Sequence, residues 1–158
     1  GHWAVSHVMD RAQINYTETE VAWLVSQIET LKPFPDVIDA LQRLRDAEYR
    51  LAILSNGDVD MLEASKPHIG FVFDETISVQ KAGYFKPHWK TYAKAEEIMG
   101  EERDAILFVA NHDFDCIGAK SFGMLTAFID RRNRPFGQEP KQPDIIVNNF
   151  KELANELT

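Results

Sequence analysis

Apolar residues recur at helical spacing in two stretches near the start of the chain: Trp3, Val5, Val8, Met9 and Ala12, then Val21, Leu24, Val25, Ile28 and Leu31. This period predicts helices over 3–12 and 18–31. Thr17 with Glu20 three positions later is a capping-box pair and sets the start of the second helix. Lys32-Pro33-Phe34-Pro35-Asp36 then halts it, because a proline ring crowds the preceding residue out of helical geometry. Asp36 is placed to cap a third helix, running to about Ala47 on Val37, Ala40, Leu41 and Leu44.

From there the pattern turns to strand and helix in alternation. Tyr49–Leu54 is a short, nearly all-apolar run ending in Ser55-Asn56-Gly57, the mark of a buried strand and its exit turn. A helix on Met61, Leu62 and Ala64 follows, then a strand near Thr76–Val79 and a helix from His88 to Met99 closed by Gly100. Ala105–Ala110 is the clearest strand, leading into a helix over Asp115–Phe122 with Gly123 behind it. Leu125–Ile129 and Ile145–Val147 are two more strands, and 150–157 is a last helix. Strands separated by helices imply an α/β fold, three-layered and Rossmann-like, with a parallel sheet between helices. Ligands in such sheets sit beyond the carboxyl ends of the strands. That places a site along Ser55–Gly57, Val79–Lys86, Ala110–Asp115 and Asp130–Arg132.

Composition narrows the class. The 158 residues are 44% hydrophobic and 27% charged, as in an ordinary globular domain. A formal charge of −8 argues against general nucleic-acid binding. No apolar run approaches the ~20 residues of a spanning helix, so no membrane role is expected. Cys116 stands alone and cannot form an internal disulfide, which suits a reducing cytoplasm. The five histidines show no metal-ligand spacing.

Three ordered motifs carry the chemistry: Leu54-Ser55-Asn56-Gly57; Phe85-Lys86-Pro87 with Tyr92; and Phe108-Val109-Ala110-Asn111-His112-Asp113-Phe114-Asp115-Cys116-Ile117-Gly118-Ala119. Together, from about Lys32 to Phe150, the chain resembles the haloacid dehalogenase superfamily, and within it the type II (S)-2-haloacid dehalogenases. Ser55 and Asn56 end a strand where a hydroxyl and an amide can face a small anion, although Ser-Asn-Gly is also good turn chemistry. The resemblance implies that Ser55 holds the substrate carboxylate and Asn56 helps hold the departing halide. Lys86, kept extended by Pro87, can steady negative charge on a nucleophilic carboxylate. A tyrosine at the spacing of Tyr92 selects Lys86 over the nearby Lys81.

Asp115 can cap its helix, and the resemblance gives it the task of orienting or deprotonating the water that cleaves an ester intermediate. Tyr92, Asn111 and His112 complete the implied substrate-binding set, His112 standing where other members carry asparagine. In the phosphatase branch an acid at the position of Asn111 binds magnesium. A neutral amide is a poor partner for that hard cation, so the metal-free branch and no cofactor are expected. Asp58-Val59-Asp60 imitates a nucleophile loop, but Met61-Leu62 follow where glycine and threonine should, and helix capping accounts for both acids.

The expected activity is hydrolytic dehalogenation of a small (S)-2-haloalkanoic acid through an aspartyl ester. In the enzymes that the chain resembles, the nucleophilic aspartate lies on a first, central strand ahead of a helical cap. No Asp-x-Tyr-Gly-Thr-like segment and no matching cap arginine occur among these residues. Residues 1–31 therefore read as the end of the cap and 32–158 as the core without its first strand, inactive by itself. The place of that strand lies between the strands at 49–54 and 105–110. Those two must close on each other, take a replacement, or recruit a second chain as a homodimer or strand-completing partner. A phosphatase of the same superfamily, or a non-catalytic domain that binds anions or a partner, are the rival readings.

Overall fold

The computed structural model describes all 158 residues. Helices α1 (His2–Arg11) and α2 (Glu18–Ser26) open the chain, the second running into a 3-10 turn over Gln27–Thr30. Both halves of the capping box form: Glu20 N–H donates to Thr17 Oγ1, and Thr17 N–H donates to Glu20 Oε2 at 2.7 Å. Each satisfies a donor that the first helical turn leaves free. The 3-10 turn rests on α4 (Val59–Ile69).

The remainder alternates as the periodicity predicts. In order come α3 (Val37–Asp46), β1 (Ala52–Ser55), α4, β2 (Glu75–Ser78), α5 (Trp89–Met99), β3 (Leu107–Ala110), α6 (Asp113–Phe122), β4 (Leu125–Ile129), β5 (Ile145–Val147) and α7 (Phe150–Leu157). Gly100 and Gly123 end α5 and α6 at φ of +67° and +109°, a region that side chains with a Cβ disfavour. No helix is long and apolar enough to cross a membrane.

Alternating side chains along the strands build two faces. Leu107, Val109, Ala127, Ile129, Ile145 and Val147 turn toward Leu153 of α7, which in turn packs with α3 through Ala154, Ala40 and Leu44. Leu54, Ile106 and Phe108 turn the other way, onto Tyr92 of α5 and Ala119 and Phe122 of α6. The result is three layers with helices on both faces.

All pairings are parallel, but they fall into two sheets, β1–β2 and β3–β4–β5, rather than the single expected one. Leu54 and Phe108 lean on the same cluster around Tyr92, yet no ladder joins β1 to β3. Helices α3 and α7 pack together on one face and α5 and α6 on the other. The two strands have not closed on each other. All four residues of β3 are half-buried.

One local expectation is corrected. Asp36 sits at the start of α3 but makes no capping bond there. Its carboxylate instead accepts two hydrogen bonds from Arg131, at 2.9 and 2.7 Å, and one from Phe150 N–H at 2.8 Å. A partly buried guanidinium offers a stronger, bidentate partner than a helix terminus, and it wins.

Candidate active site

The carboxyl ends of β1 and β3 and the loops beyond them meet at one rim. Ser55 ends β1 in register with Ser78 of β2, and its Oγ accepts Gly57 N–H at 3.0 Å, leaving its own proton free to donate. Asn56 follows, exposed, with its Oδ1 accepting Lys86 N–H at 2.9 Å. That bond ties the first motif to the second across thirty residues of chain. Lys86 Nζ then reaches Asp115 Oδ2 at 3.0 Å and lies 5.5 Å from the centre of the Phe108 ring. Three of the expected residues, Asn56, Lys86 and Asp115, are thereby linked by hydrogen bonds, with Ser55 adjoining Asn56 in the chain.

The Lys86–Asp115 pair is nearly withdrawn from solvent, with side chains 11% and 10% exposed. Asp115 Oδ1, buried as well, has no hydrogen-bond partner. A buried carboxylate oxygen without a donor is costly, and such atoms concentrate where a water or substrate is received. Asp115 borders a cavity of about 340 Å³, walled by Phe34, Val37, Val109, Ala110, Asn111, Ile129, Arg131 and Phe150. Mostly apolar walls with a few convergent polar groups are usual for a small-molecule site.

Tyr92 departs from expectation. It has no exposed surface, and its hydroxyl donates to the Asp115 backbone carbonyl at 3.3 Å. Burial, with Asp115 adding to it, pushes the phenol well above its ordinary 10, so it stays a donor. Tyr92 therefore supports the turn carrying Asp115 and has no face to offer a ligand. The spacing of Tyr92 from Lys86 is real, but strand and helix periodicity cannot say which side of the helix faces the rim.

Asn111 and His112 are exposed, and both line a second cavity of about 200 Å³ with Arg132 and Arg134. Asn111 also borders the larger one. The His112 ring is tilted against Phe114 at 5.7 Å and makes no capping bond to α6. Asp58 caps α4 through Met61 N–H at 2.8 Å, as the capping reading required. Burial, then Asp115 and Asp113, push the Cys116 thiol up to about 12, leaving it a packed, unreactive side chain.

Two further residues shape the site, Arg131 and Gly118, and the close packing at Gly118-Ala119 is legible in the sequence. Arg131 walls both cavities, and only its place after a strand hinted at it. Gly118 is the other: a Cβ there would lie 2.7 Å from Pro87 Cβ and closer still to the Tyr92 hydroxyl. That close approach brings the Lys86 loop and α5 against α6. Gly118→Ala is expected to cost about 1–3 kcal/mol, as overpacking does, and to lengthen the Lys86–Asp115 contact. Urea unfolding and a crystal structure of the variant check both; unchanged stability would show that the contact has slack.

A model of the haloacid dehalogenase-like hydrolases matches residues 4–123. Haloacetate dehalogenase H-2 of Moraxella sp. (strain B) is 35% identical over 146 residues, covering 91% of this chain and 65% of that protein. The (S)-2-haloacid dehalogenase of Pseudomonas putida is 35% identical over 129 residues, covering 80% of this chain and 57% of its own length. The chain thus spans less than two thirds of these relatives. Among solved structures, the L-2-haloacid dehalogenase of Xanthobacter autotrophicus with chloropropionic acid covalently bound superposes with a TM-score of 0.87 at 29% identity, covering 99% of this chain and 73% of that one.

Proposed function

The chain belongs to the haloacid dehalogenase-like hydrolases, and we propose that its rim serves hydrolytic dehalogenation of small (S)-2-haloalkanoic acids. The observation that carries this reading is the buried Lys86–Asp115 pair with Asp115 Oδ1 left unpartnered beside an apolar cavity. In the proposed reaction a carboxylate displaces halide from the substrate's second carbon and forms an ester. Water then attacks the ester carbonyl and regenerates the carboxylate, so water never has to displace halide itself. Asp115 Oδ1 accepts the proton of that water, while Lys86 steadies charge on the nucleophile as it forms and departs. Ser55 donates to the substrate carboxylate, and the Asn56 amide faces the leaving halide, with Asn111 and His112 at the outer edge. Tyr92, behind Asp115, holds it in place.

The nucleophile is assigned to a strand between β1 and β3, outside these 158 residues. The parallel direction of both sheets and the unladdered edges of β1 and β3 support that placement. Residues 1–31 would belong with the cap and 32–158 with the core. Chloride release from (S)-2-chloropropionate, measured on protein that includes the strand, tests the reading; loss in Asp115→Asn with retained fold is the expected control.

Asn111 favours the dehalogenase reading over a phosphatase. Low-millimolar magnesium is expected to leave the melting temperature unchanged. A ligand held at 100 times its Kd would add about 2.7 kcal/mol and several degrees. A clear upward shift would turn the assignment toward phosphoryl transfer.

A further inference from the structure

Asn56-Gly57 is the sole Asn-Gly pair in the chain, and it stands at the rim. In such a pair the glycine nitrogen, unshielded by any Cβ, can attack the asparagine side chain. Gly57 N bonds to Asn56 Cγ, and the Cγ–Nδ2 bond breaks. Nδ2 leaves as ammonia, taking the Gly57 amide proton. Water opens the resulting cyclic imide at either carbonyl, giving aspartate or isoaspartate. The net change is asparagine plus water to acid plus ammonia, with no oxidant or reductant.

Asn56 is exposed and Gly57 half-buried, so water reaches both. Three hydrogen bonds nevertheless fix the reacting atoms. Gly57 N–H, which must lose its proton, is held by Ser55 Oγ at 3.0 Å. Gly57 C=O accepts Ser78 Oγ–H at 2.7 Å, and Ser78 is itself buried. Asn56 Oδ1, on the carbon to be attacked, accepts Lys86 N–H at 2.9 Å. We propose that Asn56 is a latent deamidation site, and that Ser55, Ser78 and the Lys86 backbone form the clasp that keeps it from cyclising while the rim is closed.

Modification then proceeds through local opening of the rim, at a rate set by the open population. Its product carries a negative charge at residue 56. If the dehalogenase reading holds, that charge repels the anionic substrate, so deamidation retires the site. The chemistry itself does not depend on that reading.

The test follows residue 56 by peptide mapping during incubation at 37 °C and mildly alkaline pH, scoring a gain of one mass unit and isoaspartate. The folded chain is expected to deamidate at least roughly tenfold more slowly than the same chain in urea. Ser78→Ala removes one bond of the clasp and is expected to raise the folded rate by roughly tenfold, with the rate in urea unchanged. Ser55→Ala frees the Gly57 N–H directly and gives the same reading if Ser78→Ala fails to fold. Gly57→Ala silences the site in both states; its Cβ would meet only the side-chain ends of Met61, Ser55 and Leu62, at 3.2–3.4 Å. Equal rates for folded and unfolded wild type, or folded clasp variants no faster than wild type, overturn the proposal. Since mass is the readout, its failure is separate from any failure of the dehalogenase assignment.

Discussion

Lys86→Ala is expected to destabilise the chain by about 3 kcal/mol and to abolish turnover in protein that includes the nucleophile strand. The reason lies less in the bond lost than in what remains. Asp115 is 7% exposed, and one of its oxygens already has no partner. Without the ammonium at 3.0 Å, a whole carboxylate is left buried with no charged partner. Truncating one member of a buried pair costs far more than the pair contributes relative to apolar residues of similar shape. The double variant Lys86→Met, Asp115→Leu is therefore expected to recover most of the lost stability while remaining inactive. Urea unfolding of wild type and these two variants checks this. A single variant as stable as wild type would mean that water reaches the pair freely.

The second large effect is expected at Arg131, which ties three segments distant in sequence. Its guanidinium makes two bonds to Asp36, lies 4.3 Å from the Phe34 ring and 5.8 Å from the Phe150 ring, and is 16% exposed. Arg131→Ala removes the bidentate pair and the stacking together, for an expected loss of about 2–3 kcal/mol at neutral pH. The pH dependence has a definite sign. The Arg131 hydrogen bonds hold the Asp36 carboxyl below its ordinary 3.8, so its contribution is full above that value and lost as pH falls through the lower folded one. In Arg131→Ala the depression largely disappears, and the gap between wild type and variant should narrow from pH 7 to pH 3. Urea midpoints at the two values measure it; a gap unchanged in acid would assign the stability to stacking alone.

The Arg131 clasp also marks where the sequence stops being legible. Period, capping pairs and glycine stops place every helix and strand to within a few residues, because those signals are local. Thr17–Glu20 and Asp58 act over three positions and were readable. Asp36 and Arg131 are 95 residues apart, and nothing local distinguishes an aspartate that caps a helix from one claimed by a distant arginine. Tyr92 is a related case. Its distance from Lys86 identifies the motif, but packing of α5 on α6 at Gly118 decides that its hydroxyl faces the Asp115 carbonyl. The rim was readable through strand ends, which a parallel sheet brings to one edge. The division into two sheets is not legible in the local pattern, which reads as one parallel sheet, because strand pairing depends on contacts distant in sequence.

In the proposed reaction the Lys86–Asp115 rim processes an ester formed on a carboxylate carried between β1 and β3. Chloride release from (S)-2-chloropropionate tests it most directly, compared between the 158 residues alone and a chimera in which the aspartate-bearing strand of a related dehalogenase precedes them. The expected result is release by the chimera, lost when either its added aspartate or Asp115 is replaced by asparagine, and none by the 158 residues alone. Lys86-dependent release by the 158 residues alone, or a chimera whose crystal structure shows the strand seated between β1 and β3 but no release, would contradict it.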